Sequence, residues 1–308
     1  MPVLSGVVAM TISATSIADQ LTLDRQHYIG GCVLVLISAV CYGLQPFFAF
    51  FAYNDGTNTT GLLLSRFCIS SVVLLGWLKL RGISLPKPKL FIQNLAIGAG
   101  YAGAGLGYYN ASQSASFSLA VILMFSFPAF VTLFAILFLK EKLTRLRVTS
   151  LTLAISGVIF AAGIDLKGDI TGILWALFAA LSYGSAIIYA SHQAKPENPI
   201  ASAAVIMIAG SLIFIVVAQF HHITMPQTAT GWSAVIGLAL FATLAPLATF
   251  ISGAHRIGAA NASTLSTMEP VVAVVIAVSL LGEPLSWTTI TGGVMVVCAA
   301  LLLVRQKR

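Results

Sequence analysis

Residues 118–139 read SLAVILMFSFPAFVTLFAILFL, 22 residues without one charge. A bilayer core of ~30 Å is crossed by ~20 apolar residues wound as a helix. Helices and closed barrels are the only backbones that satisfy their own polar groups in lipid. A barrel strand alternates apolar and polar side chains, whereas this stretch is apolar all round. Similar runs recur from Gly30 to Val304. The fold class is therefore an all-α polytopic membrane protein.

Composition agrees. The 308 residues are 58% hydrophobic and 8% charged, with a mean hydropathy of +0.96. A soluble domain carries ~25% charged residues. Turn chemistry at Asn54-Asp55-Gly56, Pro86-Lys87-Pro88, 195–199 and Gly282-Glu283-Pro284 cuts the apolar runs into ten spans. They cover 30–52, 60–80, 90–111, 117–139, 147–163, 170–191, 200–220, 231–253, 259–281 and 287–304.

The net charge of +7 would suggest nucleic acid in a soluble protein. Its placement excludes that reading. With the N-terminus inside, the inner loops hold Lys79, Arg81, Lys87, Lys89, Lys140, Lys142, Arg145, Arg147, Lys195 and Arg256, and the tail adds Arg305, Lys307 and Arg308. The outer loops hold Lys167 against Asp55, Asp165, Asp169 and Glu283. Lys and Arg are enriched in cytoplasmic loops, so both termini are expected in the cytoplasm. Residues 1–29 are expected to form an N-terminal cytoplasmic tail, either loose or a short interfacial helix; without a basic n-region a cleaved signal peptide is not expected. Trp77, Trp232 and Trp287 near span ends read as interface anchors.

The two halves match in register. Tyr42-Gly43 corresponds to Tyr183-Gly184, 141 residues later. Pro128 corresponds to Pro270, and Leu139-Lys-Glu141-Lys-Leu143 to Leu281-Gly-Glu283-Pro-Leu285, both 142 later. Repeat 1 thus spans 30–163 and repeat 2 spans 164–308. Each holds five helices. Five is odd, so the second repeat enters the membrane from the opposite side. Inverted repeats are the architecture of alternating-access transporters.

Two segments carry a resemblance. Asn110-Ala-Ser-Gln-Ser-Ala-Ser-Phe-Ser-Leu-Ala120 running to Leu143 resembles the fourth helix of the EamA-type drug/metabolite transporter superfamily. Gly253-Ala-His-Arg-Ile-Gly-Ala-Ala-Asn-Ala262, running through Met268-Glu269-Pro270 to Leu285, resembles its ninth. The resemblance covers residues 30–304. It implies a ten-helix, 5+5 inverted-repeat carrier of small organic molecules, often an exporter, in a bacterial inner membrane. One departure is Phe127-Pro128 where repeat 2 has Glu269-Pro270, so the site should be asymmetric in charge.

Only Arg66 and Glu269 are ionisable and deep within apolar spans. Burying either costs at least ~2.5–3.5 kcal/mol on insertion scales, so each needs a compensating role. At ~1.5 Å per residue, Arg66 lies ~9 Å below the outer boundary and Glu269 ~15 Å above the inner one. In a ~30 Å core their heights differ by ~6 Å. One reading is a static ion pair between the second and ninth helices. The other is a cavity in which Arg66 faces an anionic group and Glu269 an amine or a proton. Tyr42, Gln45, Tyr101, Tyr108, Tyr183 and Tyr189 add polar tips on apolar bodies, a mixture that lines small-molecule pockets. Pro128 and Pro270 kink their helices as cavity walls, hinges or packing bends. Gly103 and Gly107 form a small-xxx-small pair for close helix approach.

The expected function is a secondary active transporter that moves a small organic metabolite, an amino acid or related compound, with export the expected direction. Protons are the candidate coupling ion. The alternatives are a passive facilitator, or a multidrug-type exporter of lipophilic cations with Glu269 as counter-charge. An enzyme is not expected, because Glu269 is the only deep carboxylate and no histidine lies deep in a span. No cofactor or metal is expected. His221-His222 lacks a third ligand, and Cys32, Cys41, Cys68 and Cys298 show no C-x-x-C spacing. Glu283, in an outer loop, is expected to matter less than Glu269.

Overall fold

The computed structural model describes residues 25–139, 144–162, 170–191, 193 and 197–306. Most of the tail 1–29, Lys140–Leu143 of the repeat match and the outer-loop charges Asp165, Lys167 and Asp169 lie outside the described residues. The rest forms ten helices. They are α1 (Arg25–Asn54), α2 (Thr59–Leu80), α3 (Pro88–Ser114), and α4 in two segments, Phe117–Met124 and Phe127–Leu139. Then come α5 (Arg145–Ala162), α6 (Ile170–Ser191), α7 (Pro199–Val217) and α8 (Ala229–Ile257). The last are α9, as Ala259–Ser266 and Met268–Ser279, and α10 (Trp287–Gln306).

Helices α1, α2, α4, α6, α7 and α8 are long and apolar enough to cross a membrane, and α9 and α10 contain shorter apolar stretches. Helix α3 is more polar, with Asn94, three tyrosines, Asn110 and Gln113. It packs along α6 and α7, with Asn94, Tyr108 and Tyr109 buried. Helix starts are marked as their sequences require. Asn58, Ser116, Asn198 and Thr228 cap α2, α4, α7 and α8 through their side-chain oxygens, and Pro88 and Pro199 open α3 and α7. Gly56 and Gly282 take positive φ, at +87° and +70°, in the predicted turns.

The packing is two-fold in pattern. Exchange each helix for the one five places along, and the pair α3/α6 becomes α8/α1, while α3/α7 becomes α8/α2. The pairs α2/α7, α4/α9 and α5/α10 map onto themselves, and all of these pairs are in contact. At the α2/α7 crossing, Ser71 and Ser211 share a hydrogen bond of 3.0 Å. Phe67 stacks on Phe214 there at 5.6 Å, over Gly210, where a Cβ would strike the Phe67 ring. In lipid, such packing and interhelical hydrogen bonds carry helix association. Gly103 and Gly107 serve the same end. A Cβ on Gly107 would lie 2.6 Å from the Trp175 carbonyl oxygen and 2.7 Å from the Ala179 nitrogen of α6.

Loops that the charge pattern puts on one side meet one another. At one end, Asp55 accepts hydrogen bonds from the Gln227 N–H (2.7 Å), the Thr228 N–H (3.2 Å) and the Thr228 hydroxyl. Asn58 donates through its side chain to the His222 carbonyl at 2.7 Å and through its backbone to Thr224 at 3.2 Å. At the same end Glu283 grips the start of α4, accepting from Phe117 N–H (2.6 Å), Ser118 N–H (3.0 Å) and the Ser118 hydroxyl (2.8 Å). At the other end Lys87 pairs with Glu197 at 3.1 Å. The Thr228 hydroxyl, helped by the Thr228 and Gln227 amides, holds the Asp55 carboxyl below its ordinary range despite an opposing effect of burial. A lowered value means that this tie holds at neutral pH and loosens only as pH falls through that value.

Glu283 thus has a structural role beside its place in an outer loop. It neutralises two N–H groups that the first turn of α4 leaves without helical partners. Glu283→Ala is expected to destabilise the protein by about 2 kcal/mol, in line with hydrogen bonds to a charged group. Thermal unfolding in detergent measures this, and an unchanged midpoint would contradict it.

Candidate functional site

Proline placement shapes the centre of the molecule. Each in-span proline lacks an N–H for the carbonyl four residues back and crowds it. Helix α1 breaks at Leu44, before Pro46; α4 breaks at Phe125–Ser126, before Pro128; α9 breaks at Thr267, before Pro270. Helix α8 answers Pro246 with a π-helical turn, Leu240–Leu244. The carbonyls opposite Pro46, Pro128 and Pro270 belong to Tyr42, Met124 and Ser266. All three residues line one cavity of about 120 Å³.

That cavity gathers side chains from α1, α2, α3, α4, α6 and α9. Arg66, Glu269, Tyr42, Gln45, Tyr101, Tyr108 and Tyr183 all line it, as do Tyr109, Phe67, Phe125 and Phe127. Pro128 and Pro270 stand behind it at the helix breaks. Tyr189 does not join it; it is 42% exposed.

The Tyr-Gly repeat has a packing cause. A Cβ on Gly43 would lie 2.5 Å from Val272 Cγ1 and 2.7 Å from its Cβ, so glycine lets α1 approach α9. Gly184 does the same for α6 against α4, where a Cβ would lie 3.1 Å from Phe130 Cβ and 3.2 Å from the Phe127 oxygen. Each close approach sets the preceding tyrosine at the cavity wall. Gly43→Ala is expected to cost about 1–3 kcal/mol through overpacking. Gly184→Ala should cost less, because its neighbours stand farther off. Equal melting shifts for the two would contradict this account.

Arg66 is 4% exposed and is held from two sides. Its Nε donates to Thr243 Oγ1 at 2.8 Å, and its Nη1 donates to the Tyr109 hydroxyl at 3.2 Å. Tyr109 passes the chain on, donating to Gln45 Oε1 at 3.1 Å. The Thr243 hydroxyl donates to the Leu238 carbonyl five residues back, at 2.9 Å, so the π turn of α8 aims its oxygen at Arg66. The guanidinium also lies 5.7 Å from the Tyr109 ring centre and 5.9 Å from that of Phe67. These bonds use two of five N–H donors, and the side chain that carries the other three lines the cavity.

Glu269 forms no ion pair with Arg66. Among the described residues the one ion pair is Lys87–Glu197, and Glu269 has no hydrogen bond to another described residue. Arg66 and Glu269 therefore line one cavity without forming an ion pair with each other. The repeat counterpart of Glu269, Phe127, packs edge-on against Tyr183 at 4.8 Å, and Tyr183 against Tyr101 at 5.8 Å. The cavity lining accordingly combines Arg66 and Glu269 with aromatic rings. Tyr109, Thr243, Pro46 and Pro246 are site-building residues that the sequence reading did not single out, whereas Phe127 stands where the repeat departure placed it. Among the described residues no group of three or more His, Cys, Asp or Glu side chains is placed to hold a metal ion.

Ten packed helices, most of them apolar, around a cavity lined by Arg66, Glu269 and a group of aromatic side chains define a polytopic membrane protein. The sequence model of the EamA-like transporter family matches residues 29–163 and again 170–305, and the chain belongs to that family. It is 26% identical over 225 residues to the "Uncharacterized inner membrane transporter YedA" of Escherichia coli K12, covering 72% of this chain and 73% of that protein. It is 24% identical over 277 residues to an "Uncharacterized transporter" of Archaeoglobus fulgidus, covering 90% and 97%. A solved crystal structure of a 16% identical protein shares the fold with a TM-score of 0.64, over 90% of this chain and 98% of that one. The chain is an integral membrane protein of a transporter family.

Proposed function

We propose that this protein is a secondary carrier that moves a small zwitterionic metabolite, an amino acid or related compound, by alternating access, with export as its direction. The observation that carries the reading is that Arg66 and Glu269 line one cavity with no ion pair between them. Arg66 keeps three donors for a carboxylate, and Glu269 keeps both oxygens for an ammonium group or a proton. The aromatic wall suits the cargo's apolar part. The repeat supplies two states of similar energy. Protons are the proposed coupling ion, and the bacterial inner membrane with both termini in the cytoplasm is the proposed setting.

Counterflow in proteoliposomes tests this. Vesicles loaded with a mixture of the twenty amino acids should accumulate at least one radiolabelled member from outside, more strongly under a pH gradient. No counterflow of any amino acid would overturn the zwitterion reading. Efflux of a lipophilic cation such as ethidium, dependent on Glu269 and indifferent to Arg66, would favour the multidrug alternative. Counterflow that a pH gradient does not strengthen would mark a passive facilitator.

Orientation has its own test. A reporter active only outside the cytoplasm should be silent after Arg308 and active at Asp55. The opposite pattern would reverse the assignment of inner and outer faces.

A further inference from the structure

The ties at the two ends of the molecule are related by the repeat. Glu197 follows Asp55 by 142 residues, and Thr228 follows Lys87 by 141. Asp55 and Glu197 stand in the loops after α1 and α6. Lys87 and Thr228 are the residues just before α3 and α8. Asp55–Thr228 and Glu197–Lys87 are therefore two copies of one contact, at opposite ends.

The copies are unequal. Asp55 takes three hydrogen bonds at the start of α8, and a Cβ on Gly231 would run into its carboxylate. A carboxylate on helix N-terminal amides is charge-assisted and favoured by the helix dipole. The other copy is one ion pair whose side chains are 83% and 86% exposed, a kind that contributes little. The Asp55 end has a second strong tie, Glu283 onto Phe117 and Ser118. Both strong ties cross between repeats: Asp55 of the first reaches α8 of the second, and Glu283 of the second reaches α4 of the first.

We propose that the Asp55–Thr228 and Glu283–Ser118 ties are the gate that holds the Asp55 face shut, with Lys87–Glu197 as its weaker counterpart on the opposite face. The proposal rests on the carrier reading above, because inverted repeats exchange their conformations and close one end while opening the other. The unequal ties bias the unloaded carrier toward opening at the Lys87 face. Loading or membrane forces must break two inter-repeat carboxylate ties before the Asp55 face opens.

The test needs no identified cargo. In a background lacking Cys32, Cys41, Cys68 and Cys298, Ala104→Cys places one thiol at the cavity wall. A membrane-impermeant maleimide is applied from each face, in right-side-out and inverted vesicles. Asp55→Ala with Glu283→Ala is expected to raise labelling from the Asp55 face about tenfold, as loss of charge-assisted bonds implies, and to lower it from the Lys87 face. Lys87→Ala with Glu197→Ala should change either rate by less than about twofold. Where the double alanine variant fails to fold, judged by gel filtration, Asp55→Asn and Glu283→Gln replace it with the same expected direction. Labelling unchanged from the Asp55 face overturns the gate. A rise there without a fall at the other face keeps the gate and removes alternating access. A shift produced by the amino-acid mixture but by none of the variants keeps the carrier and overturns the gate.

Discussion

Glu269→Gln is expected to reduce transport at least ~10-fold while leaving the melting temperature nearly unchanged. The size follows from the bond to cargo or proton that the neutral amide cannot make: a hydrogen bond to a charged group contributes ~1.5–3 kcal/mol, and 1.4 kcal/mol is tenfold. The small effect on stability follows from the structure. Glu269 has no ion pair or hydrogen bond to another described residue, so glutamine, equal in shape, breaks none. This differs from removing one member of a buried ion pair, which costs ~3–5 kcal/mol. The melting curve therefore separates the cavity reading from the static-pair reading, and counterflow reads the function. Normal flux by Glu269→Gln across pH would remove Glu269 from the transport site. A large melting shift would return it to a structural role.

The helices were legible because lipid leaves the chain few choices. Uncharged runs such as 118–139, cut by Asn-Asp-Gly and Gly-Glu-Pro turns, have to be helices with ends where those turns fall. The site was legible in part for the same reason. A charge in mid-span is expensive enough to mark itself, and Arg66 and Glu269 both line the cavity. Tyr42 and Tyr183 were visible because each precedes a glycine at matching places in the two repeats. What failed was the step from height to contact. Rise per residue places Arg66 and Glu269 at similar depths but says nothing about direction around each helix or which helices adjoin. Helix α2 packs on α7 and α8, whereas α9 packs on α1 and α4. Arg66 consequently meets Thr243 of α8 and Tyr109 of α3.

Thr243 was hidden for another reason. In Leu-Phe-Ala-Thr-Leu it reads as a small filler inside an apolar run. Only the π turn before Pro246 gives its hydroxyl a special direction, and an in-span proline was the available signal. Tyr109 stood beside Tyr108 with nothing in the sequence to rank them. The structure makes Tyr109 the fully buried link from Arg66 to Gln45. The contact of Glu283 was hidden because a loop carboxylate looks solvated until the helix start that it caps is brought to it from 166 residues away.

Arg66→Gln is expected to lose both transport and stability, and the combination distinguishes it from Glu269→Gln. Arg66 is almost fully buried and donates to Thr243 and Tyr109. Losing those two bonds is expected to cost about 3 kcal/mol, partly offset because a buried charge is removed with them. Arg66→Lys keeps the charge and should still fail, since an ammonium lacks the planar fork that reaches both hydroxyls while presenting further donors to the cavity. Transport of a zwitterion should fall at least ~10-fold in each. If Arg66 and Glu269 act on the same cargo molecule, adding Glu269→Gln to Arg66→Gln should cost little more than either change alone, because neighbours that share a partner are not additive. Full additivity would assign the two charges to separate steps. Unimpaired flux with a lowered melting temperature in Arg66→Gln would make the arginine a brace between α2, α3 and α8, and would leave Glu269 alone as the counter-charge of a cationic cargo.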